Sequence, residues 1–155
     1  MGGGSLIEWA GIGFHGRTDI VFIEGRLNAR GYLALICEQP QRHGERIAQG
    51  NFVFQQDNAA IHTAKVVTAN FQDNNIPVLT WPARSPDLNI IENLWACLAR
   101  AVYSNGRQYS DVADLKTSLI QKWRELDQDQ VKKLFSSSRK RMVYELENRG
   151  DSTKY

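Results

Sequence analysis

The sequence predicts an α/β fold, and three observations carry that expectation. Runs rich in β-branched and aromatic residues, most plainly Asp19-Ile-Val-Phe-Ile-Glu24 and Asn51-Phe-Val-Phe-Gln-Gln56, have strand character. Segments with apolar residues every three or four positions, the period of a helix packed on one face, are interleaved with them. Beyond about residue 105 only the helical period remains, so the expected architecture is a mixed sheet flanked by helices with a helical C-terminal tail. At 155 residues, one domain over 1–155 is expected, with its core over about 5–105 and a helical region over about 110–150.

The elements follow in order. Leu6, Ile7, Trp9 and Ile12 mark a first strand and Asp19–Glu24 a second, joined by a turn over Gly13–Thr18. Asn28 offers a side-chain oxygen to a helix N-terminus, and Tyr32, Leu35 and Ile36 give that short helix its apolar stripe before a polar loop, Gln39–Gly50. Asn51–Gln56 is a third strand with Phe52 and Phe54 on one face. Ala64, Val67 and Phe71 predict a helix over His62–Asp73 that Asn74-Asn75 can end, and Ile76–Thr80 reads as another strand. Prolines at 82 and 86 keep the next segment from being helical throughout. Ile91, Leu94, Trp95, Leu98 and Val102 then give the clearest amphipathic helix in the chain. Ser110 can cap a helix carrying Val112, Leu115, Leu119 and Trp123, and a last helical region runs from Val131 to Leu146, stopped by Asn148-Arg-Gly150.

Composition narrows the function classes. Hydrophobic residues at 42% and charged residues at 23% argue against a disordered or fibrous chain. No run approaches the roughly 18 apolar residues of a membrane span, and the opening MGGGSLIEW lacks the regions of a secretory signal, so a soluble intracellular protein without membrane partners is expected. Cys37 and Cys97 have no metal-type spacing and read as buried thiols rather than a disulfide or zinc site. The net charge of +2 is too small to announce nucleic acid. Its placement says more, because residues 106–155 carry 11 basic against 8 acidic groups. Lys132, Lys133, Arg139, Lys140 and Arg141 cluster there, as a phosphate-contacting patch or as a solvated helix face.

Two carboxylates stand out. Asp57 follows a predicted strand, where loops of open α/β sheets form a crevice, although an Asp-Asn pair there also serves simply as a turn former. Glu92 begins the amphipathic helix, where Asn89 and Glu92 resemble a capping box, and it also lies at the edge of the buried face. Facing one cleft, the pair would offer the hard oxygen ligands that Mg²⁺ or Mn²⁺ requires. His62 either orients a phosphate or water beside them or has only a capping or packing role, while His15 and His43 fall in predicted loops.

Phe54-Gln-Gln-Asp57-Asn-Ala-Ala-Ile-His62 and Trp81-Pro-Ala-Arg-Ser-Pro-Asp-Leu-Asn-Ile-Ile-Glu92-Asn-Leu-Trp95, with 34 residues between Asp57 and Glu92, resemble the catalytic core of Tc/mariner-type transposases. The opening Gly2–Trp9 and the ending Asn148–Tyr155 are also similar to family segments, so the resemblance covers essentially the whole chain. It implies a ribonuclease H-like fold in which three acidic residues hold two divalent cations, Mg²⁺ or Mn²⁺, with Asp57 matching the second acid and Glu92 the third. The implied chemistry is DNA strand cleavage and strand transfer by in-line displacement. Asn58, His62, Trp81, Pro82 and Ser85 match positions that line the cleft and support it. DNA as substrate implies a nuclear location, and a second copy or a full-length transposase becomes a possible partner.

Two departures from the family shape the expectation. The strand bearing the family's first catalytic aspartate precedes the segment matching Gly2-Gly-Gly4, so that strand and its ligand are apparently missing, as is the helix-turn-helix region. Glu8 is the nearest early carboxylate, but it lies past the matching point and is not expected to substitute. A truncated copy, impaired when alone, is therefore expected. The alternatives are a non-catalytic remnant that binds DNA or full-length transposase, and a decaying copy without a role.

Overall fold

A computed structural model of the chain describes residues 6–50, 52–82 and 88–147. Strand β1 (Ile7–Trp9) pairs antiparallel with β4 (Val21–Ile23), placing Glu8 opposite Phe22. The expected turn between them holds a second small hairpin, β2 (Ile12–Gly13) with β3 (Gly16–Arg17). Thr18 closes its base: its N–H donates to the Gly11 carbonyl at 2.8 Å, and its hydroxyl oxygen accepts the Gly11 N–H at 2.8 Å.

Helix α1 (Ala29–Ala48) begins as expected, with Asn28 Oδ1 accepting the Gly31 N–H at 2.9 Å, and buries Tyr32, Leu35 and Ile36. It does not end at Gln39. The expected polar loop is helix through Pro40 and Gly44 to Ala48, and His43 is helical too. Tertiary contact overrides local propensity here. Gln39 is buried, and Ile47 lies so close to Gly13 that a Cβ on that glycine would come within 2.3 Å of Ile47 Cγ2. The second half of α1 is thus seated on the β2–β3 hairpin, which offsets the carbonyl left without a donor by Pro40.

The third and fourth predicted strands meet only as a parallel bridge. Phe54 N–H donates to the Pro77 carbonyl and the Phe54 carbonyl accepts the Leu79 N–H, both at 2.8 Å. Among the described residues the sheet is therefore two short antiparallel ladders and this bridge. Between the bridge partners runs helix α2 (Lys65–Asp73), which starts three residues later than expected and buries Val67 and Phe71. Asn74-Asn75 end it as anticipated: Asn75 takes φ 52°, and Ile76 and Asn75 donate to the Phe71 and Gln72 carbonyls.

Helix α3 (Ile90–Val102) matches its periodic pattern, with Leu94, Leu98 and Val102 buried. The cap of α4 (Val112–Glu125) is Asp111, not Ser110: Asp111 Oδ1 accepts the Asp114 N–H at 2.8 Å, while Ser110 bonds the Asp114 carboxylate. Helix α5 (Gln128–Glu147) closes the described chain, and the predicted stop at Asn148–Gly150 lies outside the described residues. No described helix is long and apolar enough to cross a membrane. Cys37 and Cys97 are free and half-buried rather than fully buried.

Two apolar clusters hold these elements. One gathers Ala10, Leu94, Leu98, Val102, Leu119, Trp123 and Val131. The other gathers Tyr32, Ile36, Val67 and Phe71. Strand β1 and the residues flanking it serve both: Leu6 and Ala10 belong to the first cluster, whereas Trp9 packs against the second. Arg17 ties the β2–β3 hairpin to the α4–α5 turn, donating to the Arg124 and Leu126 carbonyls at 3.1 and 2.6 Å and to Gln128 Oε1 at 3.2 Å.

Candidate metal and DNA cleft

The segment after Phe54 leaves the bridge and turns sharply at Asp57, whose Oδ1 accepts the Ala59 N–H at 3.0 Å. The turn-former reading is thus realised, and it leaves the carboxylate half-exposed. The chain returns through His62, whose Nδ1 lies 2.5 Å from the same Asp57 Oδ1. The predicted helix cap does not form, since α2 begins only at Lys65.

Tyr32 on α1 steadies this turn. Its hydroxyl donates to Gln56 Oε1 at 2.8 Å, Gln56 Nε2 donates to the His62 carbonyl at 3.1 Å, and the Tyr32 ring lies 4.2 Å from the imidazole, tilted by 33°. Burial pushes the Tyr32 hydroxyl well above the usual phenol range, and the Asp57 charge adds to the shift, so it stays a neutral donor.

Glu92 stands in the first turn of α3. Asn89 stands at the N-cap of that helix, but its side chain makes no capping bond there. Asn89 Oδ1 instead accepts from Gln55 Nε2 at 3.2 Å. The expected capping box is therefore replaced by a clasp between the segment that carries Asp57 and the helix that carries Glu92.

Asp57, His62 and Glu92 line one cleft of about 640 Å³, together with Trp95, Phe54 and Glu8. Glu8, set aside on sequence grounds, shares the inward face of β1 with Leu6 and Ala10, and burial raises its carboxyl above the ordinary glutamate range. Strand alternation is the signal that would have found it. Gln55, Gln56 and Tyr32 carried no motif of their own.

The supporting residues divide. His62 lines the cleft. Asn58, Trp81 and Pro82 stand outside its lining, because the Asn58 amide is turned away to donate to the Trp81 carbonyl at 2.9 Å and the Trp81 side chain is buried. Ser85 lies outside the described residues.

Both carboxylates are hard oxygen donors, and Mg²⁺ is ordinarily held by one or two carboxylates with waters and substrate phosphates completing its shell. The donor set of the cleft fits such an ion. Among the described residues no group of three His, Cys, Asp or Glu side chains is placed to cage a metal.

The basic patch is partly legible. Lys132, Lys133 and Lys140 line an open groove of about 520 Å³ on α5, shared with Asp127 and Asp129, and Lys132 pairs with Asp129 at 3.2 Å. The side chains of Arg139 and Arg141 lie outside the described residues.

Comparison with known proteins adds a family context to this geometry. A family model described as DDE superfamily endonuclease matches residues 10–116. The chain is similar to the transposable element Tc3 transposase of Caenorhabditis elegans, 33% identical over 155 residues that make up 100% of this chain and 47% of the relative. The Tc1 transposase of the same species is 37% identical over 67% of this chain and 37% of its own length. For the Tcb2 transposase of Caenorhabditis briggsae the figures are 30%, 99% and 56%. The chain thus spans from 37% to 56% of the length of these relatives.

Among solved structures, the catalytic domain of Mos1 mariner transposase superposes with a TM-score of 0.79 at 19% identity, covering 96% of this chain and 82% of that one. The Mos1 catalytic domain with raltegravir and Mn gives 0.81 at 18% identity, covering 96% and 83%. The fold is the ribonuclease H-like one that the sequence resemblance implied.

Proposed function

We infer the function from family membership: this chain belongs to the DDE superfamily endonucleases, and its relatives there are Tc/mariner-type transposases. It acts as a transposase catalytic domain for DNA strand cleavage and strand transfer in cut-and-paste transposition, working on DNA in the nucleus; with Asp57 and Glu92 matching two of the family's three acidic residues, it is a slow catalyst when alone. The observation that carries this reading is the convergence of Asp57 and Glu92, with 34 residues between them in the chain, on the lining of one cleft.

Asp57 and Glu92 would hold Mg²⁺ or Mn²⁺ there; the Mos1 catalytic domain, similar in fold, has been solved with Mn and with Mg. The bound ion supplies charge neutralisation at the scissile phosphate and a more acidic attacking water. The chain's own groups do the rest. Asp57 is held by its turn, Glu92 by the start of α3, and the Gln55–Asn89 clasp sets one against the other. Trp95 and Phe54 contribute to the apolar part of the lining.

Nicking of supercoiled plasmid tests the reading. Cleavage is expected to start on addition of Mn²⁺ or Mg²⁺, to stop with EDTA, and to fall by on the order of 10²-fold or more in Glu92→Gln, in line with several kcal/mol of charge stabilisation. Absence of nicking with both ions, or nicking indifferent to Glu92, overturns it.

The groove on α5 gives DNA a second hold. Lys132→Ala and Lys140→Ala should each weaken binding similarly for unrelated DNA sequences and lower the slope of log affinity against log salt by about 1. Fluorescence anisotropy across a KCl series reads this, and an unchanged slope removes α5 from the DNA path.

A further inference from the structure

Asp57 Oδ1 is fully engaged, accepting the Ala59 N–H at 3.0 Å and facing His62 Nδ1 at 2.5 Å, whereas Oδ2 has no partner among the described residues. An ionised carboxylate only accepts, so a hydrogen bond across this short contact requires the hydrogen on Nδ1. A free neutral histidine side chain prefers its hydrogen on Nε2; a carboxylate acceptor beside Nδ1 favours the other tautomer.

The ring is itself held. The buried Tyr32 ring lies against it, and the bonds from Tyr32 to Gln56 and from Gln56 to the His62 carbonyl close a loop that returns to Asp57. Metal-binding carboxylates are commonly fixed in this way by hydrogen bonds from groups that never touch the ion.

We propose that His62 is a positioning residue for Asp57: its Nδ1–H ties up one carboxylate oxygen and leaves Oδ2 as the single atom offered to a divalent cation. This rests on the metal-dependent reading of the cleft and assigns His62 a role that reading does not need. It makes Asp57 a one-oxygen ligand, which leaves coordination positions for water and DNA phosphate.

Two measurements test it. In a Mn²⁺ titration followed by the electron paramagnetic resonance of free Mn²⁺, His62→Ala should weaken affinity 10- to 100-fold, the usual effect of losing such a partner. His62→Asn, whose amide N–H can take the place of Nδ1–H, should stay within about 3-fold of the unsubstituted chain, with all variants sharing its thermal midpoint. Equal losses in His62→Ala and His62→Asn, or no loss in His62→Ala, overturn the proposal. If affinity still falls in Asp57→Ala, the metal reading survives that failure; no Mn²⁺ binding by the unsubstituted chain overturns both. The second measurement needs no metal: long-range ¹H–¹⁵N spectra should show the neutral His62 ring protonated on Nδ1, reverting to Nε2 in Asp57→Ala. A ring protonated on Nε2 in the unsubstituted chain overturns the proposal.

Discussion

The double variant Asp57→Asn, Glu92→Gln is expected to nick DNA no more slowly than the worse of its two single variants. On the proposed metal-dependent reading, each single change should cost on the order of 10²- to 10³-fold, because each removes a charged oxygen from one cation-binding cleft. Once either ligand is gone the ion is lost at working concentrations, and removing the second subtracts little. Groups that act as a unit are strongly non-additive for this reason. Independent roles would instead multiply, giving a combined loss of roughly 10⁴- to 10⁶-fold. Single-turnover nicking in Mn²⁺ over long time courses separates the two outcomes. A multiplicative loss would place Asp57 and Glu92 in separate tasks despite their common cleft. Gln55→Ala is the useful contrast, since it breaks the Asn89 clasp without removing a ligand.

What the sequence made legible follows from the range of the forces involved. Helix α3 could be read because its stripe, Leu94, Leu98 and Val102, repeats a purely local period that the core then uses unchanged. The end of α2 could be read because Asn75 tolerates positive φ, again a local property. The continuation of α1 could not. Pro40 and Gly44 argue locally for a break, and only the approach of Ile47 to Gly13, 34 residues earlier in the chain, reverses that argument. The Phe52–Gln56 and Ile76–Thr80 strands shrank to a bridge because a ladder needs neighbours along its length, which propensity does not count.

The site divides along the same line. Asp57 and Glu92 were visible as residue types in a spaced motif. The groups that aim them were not, because Tyr32, Gln55 and Gln56 reach their partners across distances that no spacing encodes. The capping box failed for a related reason: Asn89 has one acceptor oxygen, and the contact with Gln55 outcompetes its own helix for it. Glu8 lines the cleft as well, a placement that follows from the side of the first strand it occupies rather than from any motif.

Trp123→Ala should be the most destabilising single substitution in the described core, at about 3–5 kcal/mol for the lost ring and its cavity. The indole is 2% exposed, stacks on Trp95 at 5.3 Å and lies under the Arg17 guanidinium at 5.8 Å. Its Nε1 also donates to the buried Thr18 carbonyl at 2.8 Å, so truncation leaves that oxygen without its donor at a further cost of about 1–3 kcal/mol. Against a total stability of about 5–15 kcal/mol, such a loss should lower Tm by roughly 10–30 °C, at about 2–4 °C per kcal/mol for a chain of this size. Trp123→Phe keeps most of the ring but not the N–H, and should cost about 1–3 kcal/mol. The ranking matters for the cleft. Trp95 follows Glu92 by three residues and lines the same cleft, so Trp123 is the support beneath the helix turn that presents the carboxylate. Thermal and urea unfolding of the two variants measure both terms. A Trp123→Ala loss below about 1 kcal/mol would mean that this junction of β3, α3 and α4 is loosely packed and cannot be what holds Glu92 in place.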